Sequence, residues 1–187
     1  MDMLTDRRCE SITIEELENK TQAWFDDRQF ISITGDISIK EKAADIVSGK
    51  NGHFFSLIGK NNAIHPKTKI GVGTFINEYN DLLGESVIGD HVIISCFCQL
   101  GRAVSIGDFC HISSYVYINN CHIGKGVAMG LKSCVIGAKF TETDTKHIAD
   151  YCNLMANSVV TKNISKPGTY FGNRFVNGML RNEYRII

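Results

Sequence analysis

The 187-residue chain has few prolines, no net charge and no long apolar run. Two prolines stand against 17 glycines, which predicts many tight, regular corners and few irregular loops. The 20 basic residues balance the 20 acidic ones, so the usual electrostatic reason to expect a nucleic acid or an anionic membrane as partner is missing. No apolar run approaches the ~20 residues that span a bilayer. Residues 1–10 lack the apolar segment of a signal peptide, and we expect a cytoplasmic protein.

The seven cysteines are odd in number and include no C-x-x-C pair. This pattern favours reduced thiols over a disulfide framework. Cys96 and Cys98 alternate in strand fashion and therefore face opposite sides, which argues against a chelating pair.

An apolar residue recurs every six positions through most of the chain. Isoleucine or leucine occupies ten consecutive positions of this ladder, a run with a chance probability on the order of 10⁻⁸. Neither a helix nor a hairpin has this period. Three hexapeptides form a triangular coil, so the ladder predicts a parallel β-helix with these side chains stacked inside. The ladder residues are Ile64, Ile70, Ile76, Leu82, Ile88, Ile94, Leu100, Ile106, Ile112 and Ile118, then Ile123, Met129 and Val135, then Ile148, Leu154 and Val160.

Residues four positions after the ladder are mostly small or β-branched, and glycine often follows the ladder residue itself. Cys98, Cys110 and Cys152 occupy such positions, and we expect them to be small core residues. One residue is missing between Ile118 and Ile123. Residues 137–147 break the ladder, and we expect a loop there that either carries a binding face or is a tolerated insertion.

The first 58 residues lack the six-residue period and predict a separate α/β unit. Thr13 and Glu16 form a capping box for a short helix that runs from Ile14 to about Lys20. A strand over residues 30–34, a helix over 38–47 and a strand over 53–58 follow. We therefore divide the chain into an α/β domain over residues 1–58 and a β-helix domain over 59–187. Residues 167–174 predict a turn and a short extended piece that caps the last coil.

Several hexapeptides resemble those of the left-handed β-helix acyltransferases. They are residues 87–92 (VIGDHV) and 105–110 (SIGDFC), together with the ending ANSVVTKNI over 156–164, Pro167-Gly168 and Gly172-Asn173. Within that superfamily, the order is similar to the family of sialic-acid O-acetyltransferases and bacillosamine-type amino-sugar N-acetyltransferases. The resemblance covers about residues 30–176 and includes the junction around Gly35-Asp36.

This resemblance implies a homotrimer with acetyl-CoA in a groove between neighbouring left-handed β-helices. It implies an acceptor amine or hydroxyl on a sugar, often nucleotide-linked. By position, Gly130 and Ala156 would contact the pantetheine arm of acetyl-CoA through their backbones. Lys162, Asn173 and Arg174 would lie near its nucleotide end.

The chain departs from the family pattern at two places. No glycine-rich βα turn precedes the first strand, and Gly35 and Asp36 match only the later edge of the nucleotide-sugar pocket. The family's His-Glu pair is replaced by Arg102 and Ala103, whereas its second histidine is matched by His111.

The residues leave several assignments open. His111 either contacts the acetyl group or acceptor, or is a structural corner histidine; His122, beside the missing residue, is an alternative. Arg102 cannot act as a base and either binds an acceptor carboxylate or phosphate or is a solvated corner charge. Zinc, which one β-helix class binds through three histidines, is not expected here, because the histidines lack the close pair of that class.

We expect an acetyl-CoA-dependent sugar acetyltransferase of surface-glycan biosynthesis; the alternative is a catalytically silent trimeric scaffold or binding module.

Overall fold

The computed structural model describes residues 10–137 and 145–176. The N-terminal unit contains α1 (Ile14–Glu18), α2 (Gln22–Phe25), β1 (Gln29–Phe30), α3 (Ile37–Gly49) and β2 (His53–Phe54). The capping box of α1 is present, because the Thr13 hydroxyl accepts from the Glu16 N–H and the Glu16 carboxylate accepts from the Thr13 N–H. Strands β1 and β2 pair in parallel and are connected by α3, so they form a single β-α-β motif.

Both predicted strands of this unit are shorter than expected. The first ends at Phe30, because β2, its sole described partner, ends at Phe54. The predicted strand over 53–58 splits in two, since Leu57–Ile58 (β3) pairs with the β-helix and not with β1. The chain therefore enters the first coil of the solenoid at Leu57.

The rest of the described chain winds into a mainly β, left-handed parallel β-helix with three sheets as its faces. The first face consists of β3, β6 (Phe75–Ile76), β9 (Ile93–Ile94), β12 (His111–Ile112), β15 (Ala128–Met129), β18 (Cys152–Leu154), β20 (Gly168–Phe171) and β21 (Arg174–Phe175). The second face consists of β4 (Ala63–Ile64), β7 (Asp81–Leu82), β10 (Gln99–Leu100), β13 (Tyr117–Asn119), β16 (Cys134–Ile136) and β19 (Val159–Val160). The third face consists of β5 (Lys69–Ile70), β8 (Val87–Ile88), β11 (Val104–Ile106), β14 (Cys121–Ile123) and β17 (Lys146–Ile148).

The ladder residues form the core of this solenoid. From Ile76 to Val160 every one is buried, and together with small corner residues they make one continuous cluster. Cys98, Cys110 and Cys152 belong to it, as predicted, whereas Cys96 is half-buried. The six-residue period thus arises because each face of a coil contributes one side chain to the interior.

The two irregularities of the ladder fall at corners. The missing residue shortens the coil to 17 residues, so that Val104 pairs with Cys121. The interruption lies between β16 on the second face and β17 on the third. It is shorter than predicted, because Lys146 and His147 already belong to β17; residues 138–144 lie outside the described part of the chain.

The C-terminal end closes the first face. Strand β20 pairs in parallel with β18, and β21 turns back to pair with β20 in antiparallel fashion. This hairpin covers the edge that a solenoid end would otherwise expose, as the predicted cap requires. Within residues 10–137 and 145–176, no helix has the length and apolar character to cross a membrane.

Candidate active site

His111 lies at the corner where the third face passes into the first. We call this the His111 corner and define it by the stacked residues Gly73, His91, Phe109, Gly126 and Tyr151, whose φ angles are all between 54° and 66°. The imidazole of His111 faces the N-terminal unit at Gly35. A Cβ on Gly35 would lie 3.2 Å from Cε1 and 3.3 Å from Nδ1 of that ring. The fold therefore brings together two of the predicted site residues that are 76 positions apart in the sequence.

The electrostatics of His111 favour a neutral imidazole. Its Nδ1 is buried and has no hydrogen-bond partner among the described residues. Burial lowers the pKa of His111, and the nearby Lys40 ammonium lowers it further. At pH 7 the ring therefore has a nitrogen that can accept a proton or a hydrogen bond.

The carboxylate of Asp36 is engaged in hydrogen bonds at the start of α3. Its Oδ1 accepts from the Ser38 N–H at 2.9 Å and from the Ile39 N–H at 3.2 Å, which makes it the N-cap of the helix. Hydrogen bonds from the Ser38 hydroxyl and the Ile39 N–H lower the pKa of this carboxyl. Its clearest role is to fix the entry of α3, so that Gly35 is held in place beside His111.

Arg102 lies at a different corner, between the second and third faces. It lines a shallow cavity of about 320 Å³ together with Leu83, Gln99, Gly101, Tyr117 and Asn119. Its backbone N–H donates to Oδ1 of Asn119 at 3.0 Å, and its side chain is exposed. Strand β11 separates this corner from His111, so a single chain does not bring Arg102 and His111 into one pocket.

His122 belongs to a row of polar side chains on the third face. Ser105, His122 and His147 are in register on three neighbouring strands. Ser105 Oγ is hydrogen-bonded to Nδ1 of His122, and the two imidazole rings lie 4.9 Å apart between centroids. His122 and His147 are exposed and Ser105 is half-buried; the row lies on the third face, whereas His111 belongs to the first. Among the described residues, no group of three or more His, Cys, Asp or Glu side chains could hold a metal ion.

Gly130 and Ala156 lie on neighbouring coils. A Cβ on Gly130 would lie 2.4 Å from the Ala156 nitrogen, so the close stacking of coils itself requires glycine at this position. Gly130 follows β15, which pairs with β12 through Ala128 and His111. The two predicted pantetheine contacts therefore lie on the same face as His111.

Asn173 links the predicted nucleotide-binding residues. Its Oδ1 accepts from the N–H groups of Thr161 and Lys162, at 2.9 and 3.0 Å, and its Nδ2 donates to Oγ1 of Thr161 at 2.8 Å. Arg174 follows directly and is exposed, as is Lys162. Asn173 thus holds the backbone of Lys162 next to its own neighbour Arg174, so that both basic residues lie at the same end of the solenoid.

Sequence reasoning missed Lys40, whose ammonium reaches the His111 corner from α3. A signal for it exists in the sequence. Lys40 precedes Ala43, Ala44 and Val47 by three, four and seven positions, which places it on the buried face of the helix.

Comparison with known proteins agrees with the repeat architecture. Residues 85–120 match the family model described as bacterial transferase hexapeptide (six repeats). A UDP-3-O-acylglucosamine N-acyltransferase from Herminiimonas arsenicoxydans is 29% identical over 110 residues, which is 59% of this chain and 29% of that protein. The chain thus spans under a third of the length of this curated relative.

Solved structures share the fold at low sequence identity. The acetyltransferase domain of PglB from Neisseria gonorrhoeae FA1090, in complex with acetyl coenzyme A, superposes with a TM-score of 0.71 at 18% identity, covering 89% of this chain and 80% of that one. PerB from Caulobacter crescentus, in complex with CoA and GDP-perosamine, superposes with a TM-score of 0.69 at 17% identity, covering 75% and 65%. The predicted hexapeptide-repeat β-helix is thereby confirmed.

Proposed function

We propose that this hexapeptide-repeat chain is an acyltransferase that moves an acetyl group from acetyl-CoA to an amine or hydroxyl of a sugar. The observation that carries the proposal is the imidazole of His111, whose buried Nδ1 lacks a partner where the N-terminal unit meets the β-helix. The fold supports it, because similar structures include an acetyltransferase domain with acetyl coenzyme A and a protein with CoA and GDP-perosamine.

The chemistry requires a proton acceptor next to the acceptor group. The sugar amine or hydroxyl attacks the thioester carbonyl, and the tetrahedral oxyanion then collapses and expels the CoA thiolate. The proton lost by the nucleophile passes to a base. His111 is suited to this role because burial and the Lys40 charge favour its neutral form.

The remaining predicted residues are assigned by position. Gly130 and Ala156 contact the pantetheine arm, and Lys162, Asn173 and Arg174 contact the nucleotide end of acetyl-CoA. Gly35 and Asp36 border the sugar site. Arg102 binds an anionic group of the acceptor. Because Arg102 and His111 occupy different corners of one chain, the Arg102 that serves a given His111 in a homotrimer belongs to the neighbouring copy. We place the reaction in the cytoplasm, in the synthesis of a surface glycan from a nucleotide-linked sugar.

The test is transfer by the purified protein. We would incubate it with acetyl-CoA and a panel of nucleotide-linked amino sugars and detect acetylated sugar by mass spectrometry. His111→Asn should lower kcat by about 10²–10⁴-fold, the usual contribution of a general base. His53→Asn is the matched control, because His53 is an exposed histidine of β2.

Two outcomes would contradict the proposal. Full activity of the His111→Asn variant would remove His111 from the mechanism. Binding of acetyl-CoA in calorimetry without transfer to any sugar would instead favour the silent binding module. Sedimentation analysis of the same preparation tests the trimer.

A further inference from the structure

Lys40 is a buried lysine in the middle of the interface between α3 and the β-helix. Its side chain is 0% exposed, and it shares the buried face of α3 with Ala43, Ala44 and Val47. A buried ammonium is costly unless its protons are taken up by hydrogen bonds. The contacts of Nζ therefore indicate what the residue does.

All three protons of the Lys40 ammonium have an acceptor at the His111 corner. Nζ donates to the carbonyl oxygens of His91 at 3.2 Å, Phe109 at 2.7 Å and Cys110 at 3.0 Å. Phe109 and Cys110 directly precede His111. A neutral or shorter side chain would leave at least one of these contacts unmade.

The same helix forms the opposite wall of the site. It begins at its N-cap Asp36, one residue after Gly35, whose backbone lies against the His111 ring. A second contact at this interface is at its surface, where Glu41 accepts from Lys125 Nζ at 2.8 Å and from the Tyr151 hydroxyl at 2.9 Å. Lys40 is thus a buried connection between the helix that follows Gly35 and the two residues that precede His111.

We propose that Lys40 is a positioning residue of the candidate active site: its ammonium ties α3 to the His111 corner, holds Gly35 against the imidazole and places a positive charge close to that ring. The proposal rests on the proposed function only in giving His111 a role in catalysis. The connection itself does not depend on the identity of the substrate.

The charges around the interface are consistent with this role. Burial lowers the pKa of Lys40 to about 8, so the ammonium form dominates at pH 7. Glu41 on α3 opposes that shift, whereas the thiol of Cys110 on the β-helix stays uncharged at this pH because burial raises its pKa to about 12. Burial is the main cause of the lowered pKa of His91. The Lys40 charge lowers this pKa further, whereas Asp90 and Asp108 oppose the shift. For His111, burial acts first and Lys40 second.

The decisive experiment is an NMR titration of His111 in the full chain without substrate. Lys40→Met keeps an unbranched side chain but removes the charge and the donors, and the pKa of His111 should rise toward its ordinary value. Lys40→Arg keeps the charge and should keep that pKa low. Lys42→Met is the control, since Lys42 is an exposed residue of the same helix that pairs with Glu18.

The wild-type protein gives a second measurement that does not depend on Lys40→Met. The His111 resonance should show an additional inflection near pH 8, where Lys40 loses its proton, and Lys40→Arg should abolish it. This keeps the proposal testable if Lys40→Met does not fold. Absence of the inflection, or a His111 pKa unchanged in folded Lys40→Met, would overturn the proposal.

Hydrogen exchange and kinetics test the mechanical part. Lys40→Met should speed amide exchange in α3 and, if sugar transfer is found, lower kcat/KM about tenfold, because the ring loses its fixed wall. The acid limb of the kcat/KM profile should move to higher pH, which a loss of stability alone would not cause. Failure to find a sugar acceptor would count against the proposed function, whereas the titration and exchange results would still decide the role of Lys40.

Discussion

Gly35→Ala makes the smallest possible change to the wall that faces His111. The added methyl carbon would lie 3.2 Å from Cε1 and 3.3 Å from Nδ1 of the imidazole, which is closer than the 3.4–4 Å of ordinary contacts. The ring or the loop must therefore move by a few tenths of an ångström. Gly35 is exposed and its φ is outside the left-handed region, so the backbone itself accepts alanine.

The expected effect on catalysis is larger than the effect on stability. A displacement of about 1 Å costs roughly 10²-fold in rate, so a shift of a few tenths should lower kcat/KM about three- to tenfold. Alanine also restricts the unfolded chain, which stabilises the protein by about 0.4–1 kcal/mol and offsets the tighter contact. The free energy of unfolding should therefore stay within about 1 kcal/mol of wild type.

Steady-state kinetics, chemical denaturation and the NMR resonance of His111 measure these effects. Gly49→Ala is a matched control, because a Cβ at the end of α3 meets nothing within 4 Å. It should leave kcat/KM unchanged and stabilise the protein by up to about 1 kcal/mol. An unchanged kcat/KM and His111 resonance in Gly35→Ala would refute the idea that Gly35 forms a wall of the site.

Three further predictions concern the core, the thiols and the pH dependence. Leu100→Ala, at a side chain that is 0% exposed, should lower the free energy of unfolding by about 2–5 kcal/mol in urea denaturation, whereas Val87→Ala, at 51% exposure, should change it by less than about 0.5 kcal/mol. Burial raises the pKa of Cys110 to about 12, so iodoacetamide should modify half-buried Cys96 well before Cys110 in the native protein; equal labelling rates in peptide mass spectra would contradict the buried thiol. Because burial and Lys40 lower the pKa of His111, kcat/KM should be retained at pH 7 and lost only as the pH falls through that lowered value; an acid limb at or above 6.5 would argue against His111 as the base.

The β-helix could be predicted because its signal is local and repeated. Each ladder residue from Ile76 to Val160 is buried for the same reason, and each coil depends only on its neighbours. The bounds of the N-terminal strands could not be predicted in the same way. The separation of β3 from β2 depends on where Leu57 finds a partner, and that partner, Phe75, lies in the next coil.

The candidate site was only partly predictable. The family pattern pointed to His111 and to Gly35, but the contact between them requires the docking of α3 onto the β-helix. Arg102 is nine residues from His111 in the sequence, yet the width of one face separates them. Lys40 was missed because a single lysine on a helix is usually solvated, and its carbonyl acceptors are 51 to 70 positions away.

The six-residue period thus suffices to predict the solenoid, its core side chains and the positions of its corners, since such a period has one compact solution. Which corner the N-terminal unit covers, and which groups meet there, depends on how α3 docks onto the β-helix. Lys40 must place its buried charge against carbonyl acceptors, and those of His91, Phe109 and Cys110 lie 51 to 70 positions away on two neighbouring coils, so no local pattern brings them to α3.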